Sequence, residues 1–204
     1  MTTTTEPEQS RNDAGTHHAG GAAFAALLTS LQAGQDLVRS TNAPEPALTR
    51  AASRLDEAAT LLRPYLAAEA QVFAGKRPDL PGRGNPLVLP LTVDEETEDA
   101  IRGRVRFTPY HRGGFDAAHG GTITLLFDEL LGRLANARGS IARTASLHVD
   151  FRKISPIGAH LRVEATVERE EGRKRCLSGR LLDEDGTLLA DAEGLFVTLL
   201  PGQP

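Results

Sequence analysis

The triplet His119-Gly120-Gly121, followed by the apolar run 122–127 and a single acid at Asp128, is the part of this chain best suited to chemistry. Two adjacent glycines opening a helical pattern leave backbone N–H groups uncovered at the positive end of the helix, where a developing oxyanion can be held. Asp128 stands among Leu126, Phe127, Leu130 and Leu131. A carboxylate there is either kept for a reaction, accepting a proton in its ionised form, or paired with an arginine such as Arg133, Arg143 or Arg152. His119 fits equally a helix cap and a substrate contact.

Other chemistries find little support. His111, His148 and His160 do not make a metal trio; His148 and Asp150 share a strand face, a pairing too common to assign a metal. His17-His18 has no third ligand nearby. No metal and no cofactor are expected. The one cysteine, Cys176, excludes an internal disulfide, fits a reducing compartment and falls in a strand-like run, as a core or flanking residue.

The net charge of −4 is made of mixed signs and points neither to nucleic acid nor to an anionic membrane surface. No apolar run reaches the length of a membrane span, and the Thr/Glu-rich start lacks the order of a signal peptide. A soluble cytoplasmic protein is expected. Its 204 residues allow one domain with an appendage.

The elements that must position His119 and Asp128 follow from periodicity. Residues 1–20 read as a disordered tail, and residues 21–85 as an N-terminal helical extension with its linker. Within it, 22–39 shows Phe24, Leu27, Leu28, Leu31 and Leu37 on one side. A second stripe through Leu48, Ala51, Leu55, Ala59, Leu62 and Leu66 begins near Pro46, with a kink or end near Arg63 because of Pro64. That second helix is expected to lie on the domain or on a dimer. The Gly/Pro-rich stretch 75–86 is the boundary.

From 86 to 204 the pattern changes. Strands are predicted over 87–93 and 101–107 with an acidic connection 94–99, then a helix from Gly120 to Ala137 closed by Arg138-Gly139. Four strands follow, over 143–153, 161–168, 175–182 and 188–200. The first alternates strictly, with Ala145, Leu147, Val149 and Phe151 on one face and Thr144, Ser146, His148, Asp150 and Arg152 on the other. Gly194 suggests a bulge in the last. A helix apolar nearly all round must be enclosed, and an antiparallel sheet curled about it encloses it economically: an α+β architecture.

With this element order, three marks resemble the hotdog-fold acyl-CoA thioesterases of the phenylacetate-pathway and human thioesterase-superfamily-member type. They are His119-Gly120-Gly121, Asp128 eight residues after Gly120, and Thr144 sixteen residues after Asp128. The turn Ser155-Pro156-Ile157-Gly158 is similar too, and the resemblance covers about residues 86–200. It implies a curled antiparallel sheet around a long central helix and hydrolysis of an acyl-CoA or related thioester to free acid and thiol. Gly120, and with it Gly121, would donate N–H groups to the thioester carbonyl. Asp128 would act as general base on water or as nucleophile, and Thr144 would hold that water or the carboxylate. His119 would orient the loop or touch substrate. Arg112, Arg152 and Lys153 are the cations to meet CoA phosphates.

Seven residues of helix separate Gly121 from Asp128 by roughly 10 Å along the axis, too far for one carbonyl carbon to lie about 3 Å from both a donor and an attacking oxygen. The expectation is a homodimer, or a dimer of dimers, with each site shared across the two-fold. Competing readings are a non-catalytic acyl-CoA binder on the same fold and a hotdog dehydratase or hydratase. The second would need a differently spaced histidine motif.

Overall fold

A computed structural model describes residues 20–139, 141–200 and 202–203. Apart from Gly20, the expected tail and its His17-His18 pair lie outside the described residues. Two helices come first, α1 (Gly21–Ser40) and α2 (Glu45–Leu62), then strands β1 (Thr92–Glu96) and β2 (Ala100–Val105) and helix α3 (Gly120–Ala135). Strands β3 (Ala142–Phe151), β4 (Leu161–Glu171), β5 (Lys174–Leu182) and β6 (Leu188–Thr198) complete the chain. All six strands join one antiparallel sheet in the order β1-β2-β4-β5-β6-β3, curled about α3 in a hotdog architecture.

The enclosure of α3 follows from its apolar residues, which run round most of its circumference. Ile123, Leu126, Phe127, Leu130, Leu131, Leu134 and Ala135 are all buried, against strands β2 to β6. Glycines let the sheet come close. A Cβ at Gly179 would lie 2.8 Å from Phe127, and one at Gly194 would lie 2.7 Å from Phe196 and 3.1 Å from Leu131. Gly194 thus marks close approach rather than the expected bulge, and β5 pairs with β6 in unbroken register through it.

The bulge is on the neighbouring strand. Between Thr144 and Ser146 the β3–β6 register slips by one, leaving Ala145 without a ladder partner. This overturns the strict alternation expected for β3. Thr144 stands opposite buried Phe196 and Leu147 opposite Gly194, so Thr144 shares the helix-facing side with Leu147 and Val149. Ala145, which alternation placed on that face, is exposed.

The first strand also differs from expectation. Pro86 and Pro90 carry no N–H for a ladder, so residues 87–91 run irregularly and bury Val88, Leu89 and Leu91 without pairing. Pairing begins at Thr92. The acids Asp94, Glu95 and Glu96 therefore lie within β1, where Asp94 and Glu95 meet Arg104 and Arg102 of β2.

In the extension, α1 is held at its base by an edge-to-face contact of Phe24 with Phe73, ring centres 5.3 Å apart, with the Arg77 guanidinium over the Phe24 ring. Farther along, Asp36 accepts a hydrogen bond from the Tyr110 N–H at 2.8 Å, which docks α1 on the turn Pro109–His111. Helix α2 does not follow. It ends at Leu62 ahead of Pro64, as expected, but it buries no residue, and Leu48, Leu55 and Leu62 are exposed. The stripe is not laid on this chain's own domain.

Candidate active site

Helix α3 begins at Gly120, with His119 as its cap. The His119 ring Nδ1 accepts the Gly121 N–H at 3.0 Å, the ordinary means of satisfying an orphan donor at a helix start. Of the two glycines expected to offer an N–H, Gly121 is therefore engaged by the cap. The Gly120 N–H meets no acceptor among the described residues. A Cβ at Gly120 would lie 3.3 Å from the Phe151 ring, so this side chain of β3 packs beside the start of the helix.

The approach to Gly120 is clamped from below. The Gly113 N–H donates to the Ala117 carbonyl and the His119 N–H to the His111 carbonyl. The turn at Ser155-Pro156 grips the same loop: the Ala118 N–H donates to the Ser155 carbonyl at 2.8 Å, and Ala117 bridges to Pro156. At its tip Phe115 and Asp116 both have positive φ, and Phe115 is fully exposed.

Asp128 lies two turns along α3, half-buried. The Thr144 hydroxyl donates to its Oδ1 at 2.8 Å, a contact that the β3 bulge makes possible. None of the three arginines considered for it is its partner. Arg133 forms a two-pronged pair with Glu96, at 2.9 and 2.5 Å. Arg152 spans Asp150 and Asp191, at 2.7 and 2.6 Å. Arg143 has no acid within ion-pair distance among the described residues.

Asp128 opens instead on a cleft of about 450 Å³, lined by Glu96, Glu129 and Arg133 with Arg83, Arg143 and Thr144. The Arg133 hydrogen bond holds the Glu96 carboxyl below the usual carboxylate range. Burial pushes Glu129 upward; Arg83 and Arg133 pull it back, and the charge of Asp128 adds to the rise. Glu129 and Arg83 form a 2.6 Å pair that sequence reasoning missed, since nothing in the spacing of residues 83 and 129 announces it. Phe151 is legible in the sequence as a strand residue but not as the neighbour of Gly120.

The cations expected for phosphates are unequally free. Arg112 lies 3.2 Å from Asp116 and Arg152 is held by two acids, whereas Lys153 is exposed without an acid at ion-pair distance among the described residues. No group of three or more His, Cys, Asp and Glu side chains among the described residues is placed to hold a metal.

A free N–H at a helix start and a carboxylate held by a hydroxyl, two turns apart on an enclosed helix, suit polarisation of a carbonyl and attack on it. Residues 115–190 match the family model described as thioesterase superfamily. This stretch of the chain is therefore similar to the thioesterase superfamily. The chain is 33% identical over 94 residues to acyl-coenzyme A thioesterase THEM4 of Xenopus laevis, covering 46% of this chain and 42% of that protein. The chain thus spans less than half the length of the curated relative it matches. A thioesterase superfamily protein of solved structure aligns over 87% of this chain and 96% of its own, at 25% identity and a TM-score of 0.73. The PaaI protein of the E. coli phenylacetic acid degradation operon aligns over 55% of this chain and 81% of its own, with a TM-score of 0.53 at 18% identity, and shares the fold. Among the described residues no helix is long and apolar enough to cross a membrane.

Proposed function

We propose that this protein hydrolyses acyl-CoA thioesters to the free acid and the thiol, with Asp128 as the attacking or water-activating carboxylate. The observation that carries this reading is the environment of Asp128: an acid on an enclosed helix, bonded to a neutral hydroxyl rather than a guanidinium, and open to a cleft. Attack on the thioester carbon places negative charge on the carbonyl oxygen, and the Gly120 N–H at a helix start is the donor for it. The carbon–sulfur bond then breaks, the thiolate leaves and takes a proton, and water supplies the oxygen of the acid.

Gly120 and Asp128 are eight residues apart on one helix, about 12 Å along the axis. The two groups therefore act on one carbonyl only if they come from different copies of the chain. Strand β3 forms an edge of the sheet with no strand beyond it among the described residues, and its side chains are mostly exposed. Edge-to-edge pairing of two copies through β3 would satisfy those groups and bring the α3 start of one copy toward Asp128 of the other. CoA phosphates would meet Lys153, which interacts with Asp183 only beyond ion-pair distance, before Arg112 or Arg152, each of which has an acid within it.

The test is release of free thiol from a panel of acyl-CoAs by the wild-type chain and by Asp128→Asn. Thiol release that depends on Asp128 supports the reading; binding without turnover by either chain replaces it with a non-catalytic acyl-CoA binder. For the shared site, Asp128→Asn chains are mixed with chains mutated at Gly120, where partial recovery of activity is expected. No recovery in verified mixed dimers rejects the sharing.

A further inference from the structure

The cleft that holds Asp128 contains two further acids, and each has an arginine of its own. Glu96 is paired with Arg133 and Glu129 with Arg83, while among the described residues Asp128 is bonded to the Thr144 hydroxyl and to no arginine. Arg133 lies on α3 itself. Arg83 comes from the extension, more than forty residues upstream and outside the stretch matching the superfamily model.

The loop bearing Arg83 is built to deliver it. Gly82, Arg83 and Gly84 all have positive φ, and at Arg83 (φ 53°) this is a strained conformation for a residue with a side chain. Hydrogen bonds fix it from several directions: the Arg83 N–H donates to the Leu80 carbonyl, the Arg77 N–H to the Arg83 carbonyl, and the Gly82 N–H to the Leu91 carbonyl just ahead of β1. Gly84 is buried, and a Cβ there would meet Phe24 of α1 at 3.2 Å. A strained residue held this firmly, with its guanidinium on a half-buried acid next to the candidate catalytic one, calls for a purpose beyond folding.

We infer that Arg83 is a positioning residue: by pairing with Glu129 it keeps that acid charged and turned away, leaving Asp128 as the carboxylate of the cleft free to react. This rests on the hydrolase reading of Asp128. The groups around Glu129 are Arg83 from the loop, Glu96 from β1, Asp128 and Arg133 on α3, and Arg143 from β3. Burial and Asp128 both favour a proton on Glu129, so loss of Arg83 leaves Arg133, already committed to Glu96, as the opposing cation. A protonated Glu129 beside Asp128 would tie the two acids into one coupled titration.

The test compares wild type with Arg83→Met, Arg83→Lys and the double variant Arg83→Met/Glu129→Gln. Side-chain carboxyl carbon NMR of Glu129 should show its titration raised by roughly one unit or more in Arg83→Met and largely restored by Arg83→Lys. In thiol-release assays the acid limb of the rate–pH profile should rise with Arg83→Met and return in the double variant. An unchanged Glu129 titration in a folded Arg83→Met chain overturns the inference, as does an acid limb that stays in place while wild type is active. Absence of turnover in wild type would instead reject the hydrolase reading, with the carboxyl titration still deciding whether Arg83 governs Glu129.

Discussion

The Thr144 hydroxyl donates to Asp128 at 2.8 Å across the gap between the edge strand β3 and the central helix. The bond exists because β3 carries one extra residue at Ala145, which turns Thr144 inward on the same side as Leu147. A hydroxyl fixes the direction of the carboxylate without bringing a counter-charge, which a guanidinium would bring. Under the proposed function, Thr144→Ala should lower the rate of thiol release by roughly 10- to 100-fold, the range for a hydrogen bond to a charged group. Asp128→Asn should abolish turnover. Both chains should unfold near the wild-type denaturant midpoint, because neither side chain belongs to the apolar core.

Gly194 and Gly179 make a prediction about stability rather than rate. A methyl group at Gly194 would lie 2.7 Å from Phe196 and 3.1 Å from Leu131, both buried. At Gly179 it would lie 2.8 Å from Phe127. Neither ring can move without displacing the enclosed helix, so Gly194→Ala and Gly179→Ala should each destabilise the domain by about 1–3 kcal/mol. Urea unfolding at neutral pH measures this directly. Gly139→Ala, whose Cβ would meet nothing within 4 Å, separates packing from backbone strain because its φ is positive.

These positions show where the sequence could be read and where it could not. Helix α3 was legible at its start, because the glycines and the apolar run announce it, and its enclosure followed from that composition. The face of Thr144 was not, because a bulge moves one residue without changing the hydrophobic pattern around it. Gly194 signalled that something was unusual in β6, but local sequence cannot separate a bulge from close approach by a helix. Strand β1 was placed five residues early, since Val88, Leu89 and Leu91 are buried without a ladder and look like a strand. Arg83 reaches Glu129 through tertiary folding alone. Helix α2 was located correctly, yet its amphipathic stripe says nothing of what it faces.

The Glu96–Arg133 pair predicts a pH dependence. Its hydrogen bond holds the Glu96 carboxyl below its unfolded range, so the stabilisation is fully present above the unfolded pKa, near 4.3, and is lost as pH falls through the lower folded value. Both side chains remain about one-third exposed, so solvent screening keeps the contribution to roughly 1 kcal/mol or less. Glu96→Gln should therefore be less stable than wild type at pH 7, with the gap closing at pH 3. A gap that widens on acidification would mean that the pair does not stabilise the fold.

Gly120 permits a sharper substitution than removal of a side chain. It is the first residue of α3, and His119 before it has φ −66° and ψ 134°, a conformation that a following proline accepts. Proline is well tolerated at the first helical position because the N–H there has no helical partner. Gly120→Pro thus deletes the donor proposed for the thioester oxygen while leaving the rest of the helix start intact. Its ring atoms must share space with Phe151, whose nearest atom would be 3.3 Å from the new Cβ, but Phe151 is more than half exposed and can swing outward. Circular dichroism and the unfolding midpoint should stay close to wild type, while kcat falls by about 10²–10³, the loss expected for one oxyanion donor. Gly120→Ala controls for crowding, because it adds a Cβ against Phe151 and keeps the N–H; it should retain most of the activity that Gly120→Pro loses. Equal losses in the two variants would assign the effect to the displaced Phe151 ring and remove Gly120 from the oxyanion role.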